Sequence, residues 1–129
     1  MVYWICFVLV LLLQGCSMDN SVQPPEGQYF TVKVIDEQFV MLVTKPETIR
    51  LAMENLQGKN NRFPSGRIAL GNGGYNQAWD WHYVPDSVSM VEVSIEVCDA
   101  KASYVNTHLN DFIAVGYCPW SGKIIKAGR

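Results

Sequence analysis

Residues 75–99 read YNQAWDWHYVPDSVSMVEVSIEVCD. Two alternating runs lie in this stretch. Trp79, Trp81 and Tyr83 alternate with Asp80, His82 and Val84; Val91, Val93, Ile95 and Val97 alternate with Glu92, Ser94 and Glu96. Successive side chains on a strand point to opposite faces, so the pattern predicts strands over 79–84 and 88–97. β-branched residues suit such a half-buried, pleated surface. Pro85-Asp86-Ser87 supplies turn chemistry between the two runs. They are therefore expected as antiparallel neighbours, the first with an aromatic face, the second with one buried and one wetted face.

The second strand ends at Cys98, and the partner of that cysteine follows from the address of the chain. Val2 to Leu13 is an apolar run without a charge, too short to span a bilayer as a helix and fit for the core of a secretory signal. It closes on Leu13-Gln14-Gly15-Cys16, which resembles a bacterial lipobox, with Cys16 as the lipidated amino terminus of the mature protein. Gln14 is larger than the usual occupant of its position, and no Lys or Arg precedes the apolar run. Residues 1–16 are read as a lipoprotein signal, and 17–28, with Pro24-Pro25 and Gly27, as a flexible tether. One domain over 29–129 remains. The expected address is the cell envelope, with the outer membrane favoured by Ser17 where a cell has one. Cys98 and Cys118 are the cysteines left in the domain, and an even pair in an exported chain reads as a disulfide.

Around this frame the chain reads as an opening hairpin (29–35 and 38–44), the second strand apolar on both faces and so expected to be central. A helix follows over 46–57, with Pro46 in its first turn, Ile49, Ala52, Met53 and Leu56 on one face, and Arg50 and Glu54 on the other. A short strand over 66–70 leads to the permissive turn Gly71-Asn72-Gly73-Gly74, which lacks the spacing and lysine of a phosphate loop. Asp99 is placed to cap a second helix ending near Asn110, and 123–126 reads as a last strand. The fold expected is α+β: a small, mainly antiparallel sheet of five to six strands, two helices and one disulfide.

Tyr75-Asn76, Trp79 with His82, Pro85 with Ser87, Glu96 to Ala100, Tyr104-Val105 with His108-Leu109, and Cys118-Pro119-Trp120 form a combined pattern. In this pattern the sequence resembles the amino-terminal domain family named after a slime-mould calmodulin-binding protein, the seventy-four-kilodalton binding protein. Similar domains occur in small exported bacterial proteins. The resemblance covers most of 29–126. Lys45 stands where an acidic helix cap is usual, Tyr117 where tryptophan is usual, and the loop before Tyr117 is short. The resemblance implies a small α+β domain with its cysteines paired. It carries over no catalytic residue, and a bacterial lipoprotein has no obvious calmodulin to bind.

A net charge of −2 without a Lys or Arg cluster excludes a nucleic-acid footprint. Asp80 and His82, with His108 and Asp111, are the residues from which a metal site or an acid–base set would be built. Their spacing is no metal signature, and neither metal nor cofactor is expected. Glu92 and Glu96 read as solvated charge on a strand face. Tyr75 and Trp120, beside loops, are the aromatic residues expected to reach a ligand. The expectation is a lipid-anchored, non-enzymatic domain that binds a protein or peptide. Its rival is a small envelope hydrolase or metal-binding protein using Asp80, His82 and His108.

Overall fold

The structure, a computed structural model, describes residues 27–129. The signal segment, Cys16 and most of the tether lie outside the described residues. The opening hairpin forms as expected from β1 (Gln28–Val34) and β2 (Glu37–Val43). Its register places Phe30 opposite Met41 and Val32 opposite Phe39, which sends the large apolar side chains into the core. The turn is Ile35-Asp36, one residue earlier than the sequence predicts, with Ile35 at a φ of 62°.

The central strand is β1, not β2. The last strand, β7 (Lys123–Ala127), pairs with β1 on its free side, giving the order β2-β1-β7. The apolarity of β2 has another cause. Phe39, Met41 and Val43 face the core, while the outer edge of β2 lies under residues 76–79.

α1 (Pro46–Leu56) packs across this sheet and contacts β7. Its buried line is Thr48, Ala52 and Asn55, flanked by half-buried Ile49, Leu51, Met53 and Leu56. Thr48 donates to the Val88 carbonyl at 2.6 Å. Arg50 bridges both Glu47 and Glu54 on the exposed side, where solvent screens the pairs and leaves them little weight in stability. Lys45 makes no side-chain cap; its ammonium donates to Ser89 Oγ at 2.8 Å instead.

Strands 79–84 and 88–97 are not neighbours. β3 (Phe63–Ser65) pairs with β6 (Ser89–Val91), and β4 (Ile68–Leu70) pairs with β5 (Trp81–Tyr83). Pro85–Ser87 forms a turn of 3-10 helix that redirects the chain rather than closing a hairpin. Ser87 Oγ fixes that turn, donating to the Val84 carbonyl and accepting from the Arg67 amide. Trp79 falls outside β5 because its indole N–H reaches the Gln38 carbonyl on β2.

The run 88–97 stops as a strand at Val91. Its partner ends at Phe63, since residues 60–62 are turned back onto α1: Asn55 donates to the Asn60 and Arg62 carbonyls. Val93, Ile95 and Val97 are left 82%, 62% and 60% exposed, and Glu96–Cys98 winds into a 3-10 turn. The second helix also divides, into α2 (Ala102–Thr107) and α3 (Leu109–Val115), broken at His108. Asp99 does not cap it. Its carboxylate accepts the Trp120 amide at 2.8 Å, and Glu37 from the hairpin accepts the Ser103 amide at 2.9 Å in its place.

The α+β class holds, with three helices, seven short strands in small antiparallel sheets and the Cys98–Cys118 disulfide, whose Cα atoms are 5.1 Å apart. The core closes on Phe39, Trp81, Tyr83 and Tyr117, whose rings meet edge-on or tilted at 5.1–6.1 Å and stack in the Tyr83–Tyr117 pair. No helix among the described residues is long and apolar enough to cross a membrane.

Two buried asparagines close both outer edges of the three-stranded sheet. Asn76 Oδ1 accepts the outward Val40 amide of β2 at 2.9 Å, and its amide group donates to the Trp81 carbonyl at 2.8 Å. Asn55 Oδ1 accepts the outward Ile124 amide of β7, also at 2.9 Å. Removing either side chain leaves a buried strand amide without a partner, which costs about 1–3 kcal/mol. Asn55→Ala and Asn76→Ala are each expected to lower stability by about 2 kcal/mol, read as a shift in urea midpoint at unchanged slope.

Candidate partner-binding surface

The exposed apolar residues gather on one side of the domain. Ile95 shares a groove of about 560 Å3 with Ser94, Val115 and Arg67. Val97 shares the next with Tyr104, Asp111, Phe112 and Val115, and a third, of about 710 Å3, with Asp99, Lys101 and Tyr104. Ile95, Val97, Tyr104 and Val115 are thus parts of one surface, each 47–62% exposed. Trp120, 45% exposed, adjoins it through the hydrogen bond from its amide to Asp99. The disulfide makes this arrangement. It anchors the end of the 92–97 strip to the Cys118-Pro119-Trp120 corner, and the Cys118 amide donates to the Cys98 carbonyl beside it.

Of the two ligand-reaching aromatics expected from the sequence, Trp120 is open and Tyr75 is not. Tyr75 is buried, its hydroxyl donating to the Tyr83 carbonyl at 3.0 Å and its ring edge-on to Tyr29 and His82. The loop before it permits this packing because residue 73 has no side chain. A Cβ on Gly73, at φ 67°, would meet the His82 ring at 2.8 Å.

Asp80, His82 and His108 each take up a local contact. Asp80 faces Asn106, which accepts its amide and approaches its carboxylate at 3.4 Å. His82 Nδ1 lies 2.7 Å from the Gly71 carbonyl. His108 stacks on Tyr104 with ring centres 3.9 Å apart, and its Nδ1 is 2.9 Å from the carbonyl of that residue. Among the described residues, no three His, Cys, Asp or Glu side chains are grouped so as to hold a metal ion. Glu92 stands in solvent, 3.7 Å from Arg62.

The match to a family model decides the relationship. The model for the N-terminal domain of the seventy-four-kilodalton binding protein matches residues 26–128. The chain belongs to that family. Comparison with curated proteins and with solved structures returned no match. Within this binding-protein N-terminal domain, the residues that carry the sequence resemblance are largely architectural. Asn76 closes β2, Trp79 binds the Gln38 carbonyl, Ser87 fixes a turn, and Asp99 holds the Trp120 amide.

Burial also marks three tyrosines. Loss of water around the ring raises Tyr75 to about 12, and burial lifts Tyr83 and Tyr117 further above the ordinary phenol value. The unfolded chain ionises these phenols near pH 10, while the folded chain holds them neutral. An acid whose folded value is raised stabilises the fold below its unfolded value, so this stability is fully present below about pH 10 and lost as pH rises toward the folded values. A tyrosinate absorbance titration should show a late, cooperative step of three phenols that coincides with loss of near-ultraviolet circular dichroism.

Proposed function

We propose that this member of the family is an exported, lipid-anchored binding domain that grips a protein or peptide and performs no catalysis. The observation that carries this reading is the surface formed by Ile95, Val97, Tyr104, Val115 and Trp120. Aromatic and aliphatic side chains gathered beside grooves, away from the core, are what recognition surfaces offer. The titratable side chains from which chemistry would be built are instead engaged singly with backbone or amide groups. The anchor follows from Cys16 at the end of the apolar run.

Mass spectrometry of the mature chain from a membrane fraction is expected to find Cys16 at the amino terminus, carrying acyl chains. An unmodified terminus elsewhere would remove the anchor. Trp120→Ala should leave the unfolding midpoint within about 0.5 kcal/mol of the parent, as an open surface position, and weaken capture of the partner at least about tenfold. Equal capture by both proteins would remove Trp120 from the surface.

A further inference from the structure

We infer that residues 92–97 form a vacant strand position, which takes an extended peptide of alternating apolar and basic side chains by strand addition. This rests on the binding-domain reading and names its mode and its ligand chemistry.

The sequence of the segment is that of a strand, and its surroundings are not. Val93, Ile95 and Val97 keep the period of two with Glu92, Ser94 and Glu96, yet all three apolar residues stand in solvent. The ladder between β3 and β6 ends at the Phe63–Val91 pair. Among the described residues, none of the amides from Val93 to Val97 donates a hydrogen bond. Ile95 already holds extended dihedrals, φ −80° and ψ 153°. Unpaired, extended, apolar backbone of this kind is a template for a further strand. The two edges of the main sheet are not, since Asn76 and Asn55 occupy their outward amides.

Charge selects the occupant. Glu92 and Glu96 lie between the apolar residues, and Asp99 and Asp111 line the grooves beside Val97. The cations close by are engaged elsewhere: Lys101 with Asp36 at 2.9 Å, and Arg67 with Asp86 at 4.0 Å. Arg62 stands 3.7 Å from Glu92 and leaves Glu96 to the incoming chain. Opposite charges paired across strands stabilise, and like charges destabilise. A second copy would bring the same carboxylates against themselves, so the fitting partner alternates Lys or Arg with Val or Ile.

The test uses the full chain and an acetylated peptide of about eight residues alternating Lys with Val, near the length of a strand. The peptide should bind and slow amide exchange at residues 93–97 about tenfold or more. A Glu-Val peptide should bind at least about tenfold more weakly, and Glu92→Lys with Glu96→Lys should reverse that preference. Ile95→Pro is the backbone probe. The φ of Ile95 already suits proline and its amide has no described acceptor, so the unfolding midpoint should hold while binding falls at least about tenfold. If that variant loses stability, a Lys-Val peptide methylated on alternate amide nitrogens decides, and it must fail to bind.

Absence of binding, binding that survives Ile95→Pro in the folded variant, or binding without slowed exchange at 93–97 would overturn the inference. Concentration-dependent self-protection of these amides would also overturn it, in favour of a second copy. Random peptide display separates the two levels. Binders lost with Trp120→Ala but kept with Ile95→Pro would sink strand addition and leave the binding domain standing; no binders at all would sink both.

Discussion

Trp81→Ala is expected to lower the stability of the domain by about 3–5 kcal/mol, the range for truncating a large buried aromatic residue. Trp81 is fully buried and touches Phe39, Tyr83 and Tyr117 at ring-centre distances of 5.1, 6.1 and 5.2 Å. Its indole N–H approaches the Ala102 carbonyl at 3.3 Å, linking β5 to the start of α2. The truncation therefore opens a cavity where sheet, helix and the Tyr117 corner meet. Neighbours cannot fill it cheaply, because Tyr83 and Tyr117 are held by their hydroxyls to the Tyr117 and Ala100 carbonyls. Urea unfolding followed by circular dichroism measures the loss. Trp81→Phe should recover more than half of it, and equal losses for the two variants would point away from cavity formation.

Removing the disulfide with Cys98→Ala and Cys118→Ala is expected to cost about 3 kcal/mol. The bridge spans a sequence separation of 20, and the chain-entropy estimate for such a loop is of that size. Both cysteines are buried with Phe63 and half-buried Val91, so some packing is lost as well. The backbone bond from the Cys118 amide to the Cys98 carbonyl survives, as does the Asp99 clasp on Trp120, so the corner should loosen rather than disperse. The parent protein in reductant should match the double variant in its denaturant midpoint. A parent unmoved by full reduction would show that the two cysteines contribute little as a pair. Because the bridge ties the 92–97 strip to Trp120, its loss should weaken partner capture before it unfolds the core.

Much of the architecture was legible because it depends on local pattern. The opening hairpin, α1 with Pro46 inside its start, the short strand at 68–70 and the last strand all follow from periodicity and turn chemistry. The pairing of Cys98 with Cys118 followed from counting cysteines in an exported chain. What failed was non-local. The run from Val91 to Val97 has the alternation of a strand, but a strand also needs a partner, and Asn55 diverts residues 60–62 from that role. The rank of β2 within its sheet depends on where β7 returns, which no feature of β2 encodes. Asp99 has the chemistry of a helix cap, but the Trp120 amide claims it and Glu37 supplies the cap from far along the chain.

The candidate surface was half legible for the same reason. Trp120 follows a rigid proline corner and stays exposed, as its place beside a loop predicts. Tyr75 also follows a loop, but Gly73 lets that loop fold close enough to bury it. Tyr104 and Val115 were missed as surface residues, since helical spacing alone does not say which apolar positions the core leaves uncovered. Asn55 and Asn76 gave no local signal of their task, because an asparagine that serves another strand resembles any other asparagine.

Those two side chains set a limit on how copies of the domain associate. A strand ladder continues from molecule to molecule only if each copy offers a donor row on one flank and an acceptor row on the other. Here amide side chains from the same chain already occupy both flanks of the three-stranded sheet. However densely the copies crowd together, that sheet does not seed a filament, and the expected assemblies keep a small, fixed stoichiometry.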